Sequence, residues 1–560
     1  MDALRHVRGI IISGGPSSVY DHSSPTMDPA VLTAGIPTLG ICYGQQLITQ
    51  LLGGEVRKGD KGEFGLAFLD IQAPDSPLFE GLTDHQKIWM SHRDLVAVPP
   101  AGFRVLATTT TCSTAAIEDT SRRLYGVQFH PEVVHTTEGA RILENFLFGI
   151  CGCTKDWNPA NRIAQVEDQI RERAGDRNVF FFVSGGVDST VAFMLCLEAL
   201  GSERVCGVYV DTGLMREGET EFVQETFAGL GHGVVTIEHA EEEFLGPLDG
   251  VHDPETKRHI IGEQFVKVQE RILTARGVEN GSWILGQGTI YPDTIESGGA
   301  SGHPSDREQS KAATIKTHHN RVPGIQKLME QGLIVEPLAD FYKDEVREIG
   351  LEMGLSPLLL DRHPFPGPGL AIRCLCSSED HHVTRVPEGW LVPIHSVGVQ
   401  GDSRSYAPVL AIDTFPSAAA HLQDEATELV NRSAGVNRVI ARVATRGPLE
   451  HERVFSASIT HGRLALLRRA DGIVRDLSYS SGFDAKVWQF PVILIPLGSG
   501  ESRDSVVLRP IYSVDGMTAD SVTMPDDLLR KMAAELLEIP EIAGVYYDLT
   551  HKPPGTIEWE

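Results

Sequence analysis

Residues 178–201, NVFFFVSGGVDSTVAFMLCLEALG, leave this chain little choice of local fold. A short apolar run reads as a buried strand, Ser-Gly-Gly as a tight turn, and the apolar stretch after it as a helix. In Ser184-Gly185-Gly186-Val187-Asp188-Ser189-Thr190 the glycines admit a ligand close to the backbone, and the free N–H groups at the helix start attract phosphate oxygens. The hydroxyls of Ser184, Ser189 and Thr190 add hydrogen bonds, and Asp188 either serves Mg²⁺ or holds the loop. The G-K-[ST] ending of a Walker loop is missing. Ser-Gly-Gly alone is an ordinary glycine turn with a helix cap; the whole run points to phosphate.

Around this unit, RVCGVYVDTG, GVVTIEH and SWILGQGTIYP continue a strand–helix alternation to about residue 365. A similar alternation fills residues 1–150: strand-like RGIIIS, IPTLGI and RLYGVQF, helical QQLITQLLG and GARILENFLFGI. Both segments predict α/β folds with parallel strands. CGCTKDWNPANR (151–162) breaks the pattern as a linker. The division predicted is 1–150, 151–365 and 366–560, in keeping with 560 residues being too many for one core. No apolar run approaches the roughly 18 residues that span a bilayer, and the first residues lack a secretory core. A net charge of −27 argues against a general nucleic-acid or anionic-membrane surface. Eight cysteines are too sparse for a disulfide scaffold, and the C-x-C pairs 151/153 and 374/376 lack zinc spacing. The expected compartment is the cytosol.

TLGICYGQQL (38–47) sets Cys42 at a strand-to-helix corner between Gly40 and Gly44. At such a corner a nucleophile stands at the sheet edge, small neighbours relieve crowding, and the next N–H faces a developing oxyanion. YGVQFHPE supplies His130 and, two residues on, Glu132; extended spacing lets the carboxylate orient the imidazole. A lone buried cysteine is usually core and a lone His-Pro-Glu usually a loop. Together, and with the glycine turn ISGGP (12–16), they resemble a class I glutamine amidotransferase. That resemblance implies oxyanion donors at the backbone of Gly15 and Tyr43, and a thiol that cleaves glutamine to a thioester and ammonia. Relatives of this type carry one more strand and helix before the segment matching RGIIISGGP, so the amidotransferase segment is expected to be N-terminally incomplete.

SGGVDST resembles the pyrophosphate loop of N-type ATP pyrophosphatases, an adenine-nucleotide alpha-hydrolase-like fold. An ammonia source beside an adenylating domain implies amination of an activated carbonyl. GQGTIYPDTIES (286–297), IKTHHN (315–320), EPLADFYKDEVREIG (336–350), RHPFPGPGLAIR (362–373) and KPPGTIEWE (552–560) are similar to the GMP synthetase family. The family implies ATP as co-substrate with Mg²⁺, adenylation of the oxygen at C2 of XMP, and displacement of AMP by ammonia. Resemblance to the longer, animal-type members implies XMP contacts at Arg258, Asp402, Gln489, Lys552 and Glu558, and the family implies nucleotide-side roles for Asp293 and Glu296. Lys316, His318 and His319 would lie in a lid over the phosphates.

The last third contains an apparent internal repeat, expected to be α+β. WLVPIHSVGVQGDSRSYAPVLAI parallels WQFPVILIPLGSGESRDSVVLRPI, and each precedes a helical segment and a strand. With both copies in one chain, the protein is expected to be a monomer or homodimer. Two rival readings stay open: another adenylating amidotransferase, such as one making NAD, and a binding protein with a defunct thiol site.

Overall fold

The computed structural model describes residues 6–560 except 16, 22–23, 84, 134, 157, 159–161, 229–234, 278–280, 292–322, 401–402, 418–421, 434 and 514–517. Its contacts divide the chain into two compact units, Met1–Trp157 and Asn158–Glu560.

In the first unit, strands β1 (Ile10–Ile12), β2 (Thr38–Ile41), β3 (Glu55–Ile71), β4 (His85–Val98), β5 (Arg104–Thr108), β6 (Ala116–Asp119) and β7 (Leu124–Val127) form one sheet. Its order is β1-β2-β7-β6-β5-β3-β4. Only β1, β2 and β7 run parallel, in register Ile11–Leu39 and Leu39–Tyr125. The remainder is antiparallel, unlike the parallel arrangement expected from the sequence. The cause is connection length. β6 and β7 are joined by four residues, whereas a parallel crossover needs a dozen or more. Helix α1 (Tyr43–Leu51) springs directly from β2. Leu39, Ile41, Phe79, Phe129, Ile142 and Phe146 fill the core behind the Cys42 corner.

The second unit begins with a parallel sheet of β8 (Asn178–Phe182), β9 (Val205–Asp211), β10 (Val235–His239), β11 (Trp283–Gly286) and β12 (Ile334–Val335). The order β10-β9-β8-β11-β12 reverses direction at β8/β11. Ligands of open parallel sheets bind at that reversal, outside the carboxyl ends of the strands. Helix α2 (Val187–Leu200) follows β8 and buries Val191, Phe193, Leu195 and Cys196 on several faces, which is why its sequence is nearly uniformly apolar.

The final segment forms a seven-stranded sheet that makes the repeat visible. In the first copy Gly389–Gln400 and Ser403–Ile412 make a hairpin, helix Leu422–Arg432 follows, and Arg438–Thr445 returns parallel to Ser403–Ile412. In the second copy Val492–Ile495 and Asp504–Leu508 pair antiparallel, helix Asp526–Leu537 follows, and Ile542–Asp548 returns parallel to Asp504–Leu508. The two return strands meet antiparallel, Ile440 opposite Asp548 and Thr445 opposite Gly544, so six of the seven strands are arranged palindromically, with Thr384–Val386 added at one edge beside Gly389–Gln400. One apolar core runs from Phe180 and Leu285 of the five-stranded parallel sheet through Leu370 and Leu464 to Leu529 and Met532. That continuity explains why Asn158–Glu560 is a single unit.

Candidate active sites

Cys42 has φ 50° and ψ −102°, one of two non-glycine residues with positive φ among those described. Holding a side chain there costs on the order of 1–3 kcal/mol and needs surrounding structure to enforce it. The neighbours do so. A Cβ on Gly40 would lie 2.5 Å from the carbonyl carbon of Gly44, and one on Gly44 would overlap the carbonyl oxygen of Ile12. Gly44→Ala is therefore expected to displace β1 from α1, costing ~3 kcal/mol of stability in the first unit, read as a lower denaturant midpoint.

The Cys42 sulfur is buried, 3.5 Å from Gln128 Nε2 and 3.9 Å from the Ser91 carbonyl oxygen. His130 lies beside it: a Cβ on Gly14 would sit 3.0 Å from His130 Cε1 and 3.6 Å from Cys42 Cβ. His130 Nδ1 is 2.7 Å from Glu132 Oε1, and the Thr136 hydroxyl donates to the His130 carbonyl oxygen at 2.6 Å. No hydrogen bond closes on Nε2. Even so, the Cys42 sulfur first, then Glu132, lifts the imidazole to about 10 against the opposing effect of burial. At neutral pH the ring is thus held as imidazolium beside the sulfur. Gly15 stacks against Tyr43: its Cβ position is 3.6 Å from the ring. Ile12–Gly15, Tyr43 and Leu47 line a cavity of about 320 Å³.

At the second turn, Gly186 caps α2 and Gly185 has φ 75°. The expected phosphate-facing hydroxyls bond within the turn: Ser184 Oγ to Ser189 Oγ at 2.9 Å, and Thr190 Oγ1 to the Gly186 carbonyl oxygen at 2.8 Å. Gly288, in the turn after β11, packs onto the start of α2. Its Cβ position is 2.8 Å from the Ser189 nitrogen, so the turn sits at the sheet's reversal. Asp188 Oδ2 lies 3.3 Å from Lys343 Nζ, while Oδ1 is buried without a partner. A carboxylate oxygen with spare capacity beside a phosphate turn fits Mg²⁺, which takes one or two carboxylates and completes its shell with substrate phosphates and water. No cluster of three or more acidic, histidine or cysteine ligands occurs among the described residues. Asp293, Glu296, Lys316, His318, His319 and Asp402 lie outside the described residues.

The remaining expected contacts gather around the chain's final residues. Glu558 receives Arg373 NH2 at 2.7 Å, Arg373 Nε at 2.9 Å and Gln489 Nε2 at 3.2 Å. Burial pushes its pKa up, but Arg373, with Arg216 and Arg258 farther off, outweighs burial and holds the carboxyl below its ordinary range. Arg258 donates to the main-chain oxygen of Glu560, and buried Lys257 pairs with the Glu560 carboxylate. The Lys552 main chain pairs with Ala519. Arg216 packs over Phe365, 4.5 Å from the ring centroid, and lies 3.7 Å from Asp471 of the helix His461–Ser480. The same helix sends Arg468 Nε to the Met215 carbonyl oxygen at 3.0 Å. Sequence reasoning missed Arg373, Lys257, Arg216 and Asp471. Arg373 closes the quoted RHPFPGPGLAIR motif, and Lys257 stands next to Arg258.

The chain matches the family described as glutamine amidotransferase class-I over residues 1–150, NAD synthase over 160–241 and GMP synthase C terminal domain over 477–559. With the two glycine turns, these matches define a glutamine amidotransferase joined to an ATP pyrophosphatase-type nucleotide domain. Over nearly its whole length the chain is 40% identical to a probable glutamine-hydrolysing GMP synthase of Leptospira interrogans, covering 99% of this chain and 92% of that protein. It is 38% identical to the GMP synthase of Streptomyces coelicolor, covering 98% and 89%. A solved structure from Thermoplasma acidophilum, described as one GMP synthase subunit, covers 27% of this chain and 76% of its own at 30% identity, with a TM-score of 0.24. The chain belongs to the glutamine-hydrolysing GMP synthase family.

Proposed function

We propose that this chain converts XMP, ATP, glutamine and water to GMP, AMP, diphosphate and glutamate. The observation that carries this is the pairing, on one chain of this family, of the Cys42–His130–Glu132 corner with the Asp188 phosphate turn. The Cys42 sulfur attacks the side-chain carbonyl of glutamine while the N–H groups of Gly15 and Tyr43 receive the oxyanion. The C–N bond breaks, the His130 imidazolium hands its proton to the leaving nitrogen, and ammonia departs. Water then opens the thioester, giving glutamate and restoring the thiol.

In the second unit the N–H groups of Gly185, Gly186, Val187 and the start of α2 receive the β- and γ-phosphates. The Ser184 and Ser189 hydroxyls exchange their mutual bond for phosphate contacts, while buried Thr190 holds the turn on the Gly186 carbonyl oxygen. Asp188 would hold Mg²⁺, whose charge offsets that of the departing diphosphate. The oxygen at C2 of XMP attacks the α-phosphorus; ammonia then displaces AMP. Glu558, fixed by Arg373 and Gln489, reads donor edges of the nucleotide, and Arg258 and Lys552 serve its phosphate. Lys316, His318 and His319 form the proposed lid, and Asp402 joins the XMP contacts. The paired repeats within one chain support a monomer, with a homodimer as the alternative, and we place the enzyme in the cytosol.

The reaction is tested by multiple-turnover diphosphate release, which should require XMP together with ATP and, beyond the first adenylation on each enzyme, either glutamine or ammonium. Diphosphate without XMP would reject this substrate. Asp188→Asn is expected to lower turnover about hundredfold with either nitrogen source, measured by the same release.

A further inference from the structure

Gln128 sits inside the sequence read as the histidine motif, yet its side chain addresses the sulfur. It is wholly buried at the end of β7, with its main-chain N–H on the Ala115 carbonyl oxygen at 2.8 Å. Among the described residues, its amide supplies the one hydrogen bond accepted by Cys42 Sγ, at 3.5 Å. The orientation of that amide follows from its other end. Gln128 Oε1 accepts from Gln46 Nε2 at 3.3 Å, and Gln46 Nε2 is anchored on the Asp94 carbonyl oxygen at 2.8 Å. Reversing Gln128 would set two NH2 groups against each other, so the donor end faces the sulfur. A neutral thiol gains little from such a donor. A thiolate in a dry site gains much more, because the hydrogen bond favours the charged form.

We propose that Gln128 is a catalytic residue of the glutamine-cleaving site, a fixed amide donor that stabilises Cys42 as thiolate before attack and again when water expels it from the thioester. The proposal rests on Cys42 being the nucleophile. The division of labour is then clear. His130, oriented by Glu132, carries the proton; Gln128 holds negative charge on sulfur without exchanging a proton. The titratable groups around the sulfur are His130 and Glu132 after β7, and His92 of β4 with Glu63 of β3, 3.5 Å apart. Burial pulls His92 below its ordinary range, so that ring remains neutral where His130 is charged.

The test uses the full chain with Gln128→Met, which removes the donor, and Gln128→Asn, which keeps an amide in the hole but draws it back from the sulfur. Carbamidomethylation of Cys42 by iodoacetamide is followed across pH by peptide mass spectrometry. Both variants should shift the midpoint upward by about one pH unit, so alkylation well below the midpoint slows about tenfold. The kcat for glutamine cleavage should fall by a similar factor with KM nearly constant, and ammonium-driven synthesis should stay within about twofold of wild type. A midpoint unchanged in either variant that retains ammonium-driven synthesis overturns the proposal. Glutamine cleavage surviving in Cys42→Ala would instead overturn the nucleophile reading on which it rests.

Discussion

With Cys42 replaced by alanine, glutamine-driven GMP formation is expected to fall by roughly a thousandfold or more, while ammonium-driven formation stays within about twofold. The substitution removes one sulfur and keeps the Cβ, so the backbone at φ 50° is no more strained than before. No neighbouring group can replace the nucleophile: Gln128 offers an amide donor, Ser91 a carbonyl oxygen, and His130 Nδ1 is engaged with Glu132. The phosphate turn and the Arg373–Glu558–Gln489 cluster are built wholly from residues after Asn158, so ammonium can still be consumed. Following loss of XMP by absorbance, once with glutamine and once with ammonium, separates the cases. Persisting glutamine turnover would remove Cys42 from the mechanism. Loss with both nitrogen sources would mean that the first unit governs the second by more than supplying ammonia.

The features that could be read directly from the sequence are those where chemistry is written into adjacent residues. Gly40 and Gly44 announce a corner too tight for a side chain, and the structure shows which carbonyl groups would be struck. His130 and Glu132 lie 2.7 Å apart as expected, but a turn after β7, which ends at Val127, brings them together rather than strand alternation. Gln128 stands two residues before His130, just beyond β7, but an amide carries no conspicuous chemistry in a sequence. The repeat was visible through its tryptophans and prolines; the palindromic strands give it a centre. The antiparallel half of the first sheet was not legible, because it depends on short connections between segments without strong punctuation. Arg373 and Glu558 are 185 positions apart, and Lys257 and Glu560 are 303 apart. Nothing local tells a buried arginine from a solvated one; its partner arrives only with tertiary structure.

The largest loss of stability is expected at Asp548, where a central strand of the palindromic set meets the chain's last residues. Its carboxylate accepts Arg438 NH1 at 2.6 Å and Trp559 Nε1 at 2.9 Å on Oδ2, with Arg509 NH1 at 2.8 Å from the same oxygen. Oδ1 takes the Thr550 N–H at 2.9 Å, and Asp548, Arg438, Arg509 and Trp559 are all fully buried. The two arginines also hold the terminal segment through the main-chain oxygens of Thr556 and Ile557, positioning Glu558 next to them. Asp548→Ala would leave two guanidinium groups buried beside one another with no carboxylate between them. Breaking one such buried pair costs about 3–5 kcal/mol, and here two share the anion. The Asn158–Glu560 unit should melt far earlier by calorimetry, and synthesis should fall with ammonium as well as with glutamine, because the segment carrying Glu558 loses its anchor. Burial pushes the Asp548 pKa up, but Arg509 and Arg438 together bring it below the ordinary 3.8. Its contribution is therefore complete above that ordinary value and is lost as pH falls through the lower folded-state value. The stability gap between wild type and variant should accordingly stay constant from neutral pH to about pH 5 and close in stronger acid. A variant that melts with wild type at neutral pH would show that the arginines find other counter-charges and that the terminal segment is held by packing around Trp559.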